Sequence, residues 1–124
     1  MNAKAEFEKF VVDQMAGFGP ITQKRMFGGL AFYHNGLIFG MVIDDALFLK
    51  ADDQSKQRFE AENLKPFTYQ HKSGKEIAMA YWRAPERCLD DPEEMTQWCR
   101  LAFQAALRSH KPVKKAVKNK PKSI

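Results

Sequence analysis

The chain has few of the residue patterns that mark metalloproteins, secreted proteins, membrane proteins or common enzymes. Its two cysteines, Cys88 and Cys99, are too far apart for a Cys-x-x-Cys redox pair and too few for a four-ligand zinc site. Both are expected to be reduced thiols, with Cys99 acting as a small hydrophobe on the inner face of a helix. His34, His71 and His110 stand apart with no second ligand at metal spacing, so neither a metal nor a cofactor is expected. No apolar run approaches the roughly 18 residues of a membrane span, and the opening MNAKAEFEKF carries acids where a secretion signal needs apolar residues. A cytoplasmic chain with no membrane partner is the expectation.

A catalytic constellation is also missing. No nucleophile stands with a base, and the acidic pairs Asp44-Asp45 and Asp52-Asp53 fall where a turn and a helix cap use carboxylates as local backbone partners. Tyr33, Tyr81 and Trp82 sit at strand spacing, which reads as core or interface. A non-enzymatic protein is therefore expected.

Acids are absent from the C-terminal end. From Arg108 onward the chain has seven basic residues, Arg108, Lys111, Lys114, Lys115, Lys118, Lys120 and Lys122. The remainder holds thirteen basic against fifteen acidic residues, a net charge of −2, so the overall +5 comes from the end. With two prolines and few apolar side chains, that end is expected to be a disordered tail over 110–124, following one folded domain over 1–109. Its lysines are expected to contact DNA phosphates weakly and without regard to sequence. It has no aromatic platform and a single arginine for reading bases.

Within the body, Phe7, Phe10, Val11 and Met15 follow helical spacing up to a stop at Gly17-Phe18-Gly19-Pro20. Three strands are expected next: KRMFGGLAFYH, LIFGMVI and ALFLK, divided at Asn35-Gly36 and Asp44-Asp45. A short, mostly polar helix containing Lys56, Arg58, Phe59 and Glu60 follows, capped by Asp52 or Asp53 and ending around Asn63 before Pro66. Phe67 to Gln70 then turns through Lys72-Ser73-Gly74-Lys75 into Ile77 to Trp82. The last helix starts at Asp91-Pro92-Glu93-Glu94 and buries Met95, Trp98, Cys99, Ala102, Phe103 and Ala106. The class is α+β: two layers, an antiparallel sheet of about five strands with helices on one face, in the order α-β-β-β-α-β-β-α.

The stretch RMFGGLAFYHNGLIFG, Arg25 to Gly40, concentrates four of the seven glycines. A phosphate-binding loop needs a helix directly after its glycines, and here a strand follows, so the glycines are read as structural. Gly28-Gly29 marks a bulge or close backbone approach, Gly36 a turn, and Gly40 a position opposite bulky neighbours. Leu37 to Ile43 is too continuously apolar for a strand with one wet face, so both faces are expected to be covered, one of them by a second copy in a homodimer.

Together KRMFGGLAFY, NGLIFG, LFLKAD, PFTY, YWRAP and LDDP resemble the N-terminal domain of the TfoX/Sxy family, from about Phe7 to Leu107. The motif residues are Arg25, Met26, Phe27, Gly28, Gly29, Gly36, Phe39, Gly40 and Lys50, with structural roles. The resemblance implies a two-layer α+β fold. It also implies kinship with regulators of natural competence that work with the cyclic-AMP receptor protein at promoters. Those regulators carry a second, helical C-terminal domain, and here the basic tail stands in its place. The expectation is a regulator of transcription or competence acting by protein–protein contact, with a transcription factor or RNA polymerase as partner. The alternative is an interaction or small-ligand module with no role in transcription.

Overall fold

The computed structural model describes residues 3–26 and 28–110. The elements run α1 (Ala3–Gln14), β1 (Thr22–Met26), β2 (Gly29–His34), β3 (Leu37–Ile43), β4 (Ala46–Lys50), α2 (Lys56–Glu60), β5 (Pro66–Gln70), β6 (Glu76–Arg83), α3 (Arg87–Asp90) and α4 (Pro92–His110). The six strands form one antiparallel sheet in the order β1-β2-β3-β4-β6-β5. The α+β class holds, with one strand more than expected. The run KRMFGGLAFYH is two strands, because Gly28 adopts φ +73° and turns the chain so that Met26 pairs with Gly29.

Two tight turns set the register of the central strands. Asn35 (φ +50°) and Gly36 (φ +81°) link β2 to β3 with both central residues left-handed, as a type I′ turn requires. Asp44 (φ +52°) and Asp45 (φ +60°) do the same between β3 and β4 without a glycine. Between them β3 carries a bulge: Phe32 faces Gly40 and Tyr33 faces Ile38, which leaves Phe39 as the extra residue. The bulge shifts the side-chain alternation, so Phe39 and Val42 share one face while Ile38, Met41 and Ile43 take the other.

The first face holds the main core. Val11 and Met15, Phe32 of β2, Phe39 of β3, Leu49 of β4 and Met95, Cys99 and Ala102 of α4 have at most 1% of their surface exposed. Asp91 caps α4, accepting a hydrogen bond from the Glu93 N–H at 2.9 Å. The expected stripe on the first helix is only partly kept, because Phe10 lies 44% exposed while Val12 packs against the core. A further short helix, α3, places Cys88 in the core after β6.

One residue counted with the basic end of the chain is a working part of the fold. Arg108, near the end of α4, donates to both carboxylate oxygens of Asp52, at 2.6 and 3.0 Å. Asp52 also accepts from the Gln54 and Ser55 backbone N–H groups, so it caps the turn before α2 and anchors the end of α4 together. These contacts, the Arg108 bond above all, hold its carboxyl down at about 2. Arg108 is therefore a structural cation, which leaves six lysines beyond α4 as the basic end. Those lysines, Lys111, Lys114, Lys115, Lys118, Lys120 and Lys122, and the motif residue Phe27 lie outside the described residues.

Candidate functional site

The glycine-rich stretch builds the sheet. A Cβ at Gly29 would stand 2.1 Å from the Val42 carbonyl oxygen, so β2 and β3 approach at a distance that only glycine allows. At Gly40 a Cβ would meet the Phe48 oxygen and the Leu49 side chain at 3.0 Å. Gly36 and Gly28 face open space and serve by their positive φ. Phe39 is fully buried, with the Phe18 ring tilted against it at 5.1 Å between ring centres. Met26 packs against the apolar cluster on the second face of the sheet.

Arg25 fastens the edge strand to the first helix. Its guanidinium donates two 2.8 Å bonds to the two carboxylate oxygens of Glu8, whose carboxyl is buried and held below the usual range by that pairing. Lys4 donates to the Gly28 carbonyl oxygen at 2.9 Å beside it. These residues line a cleft of about 450 Å³, but Arg25 and Glu8 are engaged with each other and Lys4 with the backbone. A second ionic cluster, invisible in the sequence, joins the turn after α2 to α3 and α4: Arg87 forks onto Glu62 at 2.6 Å and reaches Glu94 at 2.8 Å. Trp98 donates to the same Glu94, and both Arg58 and Arg87 lie against its ring. Its charges too are matched.

The two cysteine thiols are withdrawn from nucleophilic chemistry by burial. Cys88 and Cys99 are buried free thiols; burial pushes Cys88 up to about 12 and raises Cys99 as well, so neither forms a reactive thiolate at neutral pH. Among the described residues no three His, Cys, Asp or Glu side chains converge as metal ligands. His34 contacts the Pro20 carbonyl oxygen at 2.7 Å and lies between Phe18 and Phe103, and His71 contacts Ser73 within its own turn. Asp44 and Asp45 form a turn, as their positions in the sequence suggested, whereas Asp52 caps the turn leading into α2 and the N-cap of that helix is Ser55 rather than Asp52 or Asp53.

The surface that stands apart is the second face of the sheet. Its buried centre is Ala31, Met41, Ile43 and Tyr81, with Met26, Tyr33, Ile38, Phe48, Phe67 and Met79 packed around them, and every one of these residues belongs to a strand. Met41, Ile43, Phe67, Tyr69 and Met79 line a groove of about 550 Å³. The paired register runs Lys24, Ala31, Met41, Phe48, Arg83 straight across five strands, with apolar side chains in the middle and a cation at each end. Lys50, opposite Tyr81, lays its ammonium 5.1 Å from the ring centre, and burial lowers its pKa while raising that of Tyr81.

The sequence reading placed Lys50 and Met26 in the family motif but did not bring them to this face, and it missed Phe67, Met79, Tyr69, Lys24 and Arg83. A signal was present in Ile77-Ala78-Met79-Ala80-Tyr81, where large residues alternate with alanine and so mark one side of β6 as the bulky one.

The chain resembles proteins known from elsewhere. A family model described as the TfoX N-terminal domain matches residues 13–106. Protein Sxy of Escherichia coli (strain K12) is 26% identical over 96 residues, covering 77% of this chain and 46% of that protein. The chain thus spans about half the length of the curated relative it matches. No helix among the described residues is long and apolar enough to cross a membrane. With the glycines, turns and sheet accounted for and the match covering most of the fold, the chain belongs to the TfoX N-terminal domain family.

Proposed function

We propose that this chain is a non-enzymatic regulator of transcription or natural competence that works by protein–protein contact through the open face of its sheet. The carrying observation is that face itself: an apolar centre and a 550 Å³ groove made wholly of strand residues, on the side opposite α1 and α4. Contiguous apolar surface of this kind marks an interaction site far more often than a neutral exterior. Kinship with Protein Sxy supports the regulatory direction, with a transcription factor or RNA polymerase as the partner. The six lysines beyond α4 add weak, sequence-independent contacts to DNA phosphates. A homodimer through the same face is the second reading, favoured by the apolar continuity of β3.

The test is genetic. Deleting the gene from its host is expected to change a defined set of transcripts, restored by the wild-type chain and not by Met79→Glu at matched protein level. Deletion that leaves the transcript pattern unchanged would contradict the regulatory reading.

A further inference from the structure

The open face is selective in charge as well as apolar. By register, Lys24 shares the face of Ala31, Arg83 that of Phe48, and Lys50 that of Tyr81, so three cations stand on it. No ion pair within 4 Å engages any of the three among the described residues, and no described residue placed on this face is an acid. Asp52, two residues beyond Lys50, acts on that ammonium from past the end of β4, and Asp44 and Asp45 are in the turn between β3 and β4. Glu76 shares the opposite face with Thr68, whose hydroxyl donates to it at 3.1 Å.

These facts discriminate among occupants. Two copies related by a two-fold axis would press like charges together over a shared apolar centre, which disfavours the second copy. A single-stranded nucleic acid needs free aromatic faces and polar groups for base edges. Here Phe48 and Phe67 meet edge to face at 5.3 Å, Tyr81 lies under Lys50, and among the face's aromatics Tyr69 alone is largely exposed. The groove offers methionine and isoleucine, flexible apolar walls of the kind that accept the side chains of a docked helix.

The geometry points to an acidic amphipathic helix of a partner protein as the occupant, its apolar stripe in the groove of Met41, Ile43, Phe67, Tyr69 and Met79 and its carboxylates at Lys24, Lys50 and Arg83. The row from Lys24 to Arg83 crosses five strands, about 19 Å at ordinary strand spacing. A helix of about 13 residues covers that distance, with acids toward both ends. The proposal rests on the reading of the face as a protein-binding surface and adds the partner's chemistry to it.

The experiment titrates the full chain into three fluorescein-labelled 16-residue peptides and follows anisotropy. One has a Leu/Phe stripe and glutamates on its polar face, one replaces those glutamates with lysine, and one scrambles the first. The expected result is micromolar binding of the glutamate peptide, with the lysine and scrambled peptides at least about tenfold weaker. The exposed charge reversal Lys24→Glu/Arg83→Glu should weaken the glutamate peptide about tenfold and strengthen the lysine peptide, with an unchanged Tm showing that the fold is intact. Equal binding of the scrambled peptide, or no effect of the charge reversal, would overturn the proposal and assign binding to the C-terminal lysines. Displacement of the peptide by oligothymidylate of equal length from the wild type but not the reversal variant would overturn it in favour of nucleic acid. A dimer in sedimentation that Met79→Glu dissolves would overturn it in favour of a second copy. A host strain with Met79→Glu inactive but the charge reversal fully active would refute the acidic partner while leaving the regulatory reading standing. Unchanged transcripts on deletion would refute the regulatory reading, and peptide binding would be judged separately.

Discussion

The two faces of this sheet are nearly equal in apolar content and opposite in fate. On one, Phe32, Phe39, Val42 and Leu49 are sealed beneath α1 and α4 with at most 1% exposure. On the other, Phe48, Phe67 and Met79 are half-buried against one another and the cations collect at the margin. The difference shows that hydrophobicity along a strand sets how much surface seeks cover, while the helices set which half receives it. Among the described residues, Lys24, Lys50 and Arg83 on the face left over have no ion pair within 4 Å, whereas Arg25, Arg87 and Arg108 on the helical side are paired.

The largest effect should come from the contrast itself. Phe39→Ala empties a sealed site and is expected to cost about 3–5 kcal/mol, against under about 1 kcal/mol for Met79→Ala, where water already reaches the side chain. Urea denaturation of both variants checks this, and similar losses would abolish the distinction between the faces. Next is Gly29→Ala, whose Cβ meets the Val42 carbonyl oxygen and must part β2 from β3, at about 2–3 kcal/mol; Gly28→Ala next to it faces open space and costs about 1 kcal/mol for its φ alone. Thermal melts in which both alanines behave alike would remove the close-approach account.

Smaller still is the acid sensitivity of the helical side. The Asp52 carboxyl is depressed from 3.8 to about 2, so its stabilisation is complete above pH 3.8 and is lost as pH falls through 2. Both partners are partly solvated, which reduces the contribution to about 1 kcal/mol. Asp52→Asn should remove that part of the stability difference between pH 5 and pH 2, and an unaltered pH profile would show the bond to be idle. Last, Asp45→Gly relieves a left-handed aspartate in the β3–β4 turn and is expected to gain about 0.5 kcal/mol, read as a small rise in Tm. A fall in Tm would mean that the Asp45 side chain holds the turn.

Much of the fold was legible because its signals are local. Asn35-Gly36, the Asp91-Pro92 start of α4, and the glycines at 29 and 40 each state their backbone requirement in one or two residues. The extra strand escaped because a glycine that bends a strand and one that merely sits in it read alike, and Arg108 was counted with the basic end because its partner is 56 positions away. The family resemblance was legible in KRMFGGLAFY and its companion blocks, most of which lie on strands. The candidate site was the least legible part. Lys24, Met41, Phe67, Met79 and Arg83 come from four strands, and the bulge at Phe39 decides which side of β3 they meet.

The methionine methyl groups offer the most direct measurement of the claim that the open face is the binding surface. Met26, Met41 and Met79 belong to that face, while Met15 and Met95 are sealed in the helical core. In a titration of the full chain, labelled at the methionine methyls, with the glutamate peptide, the signals of Met41 and Met79 are predicted to move with saturation while those of Met15 and Met95 stay in place. Movement at Met15 and Met95 with Met41 and Met79 unmoved, or binding that leaves all four in place, would contradict the account.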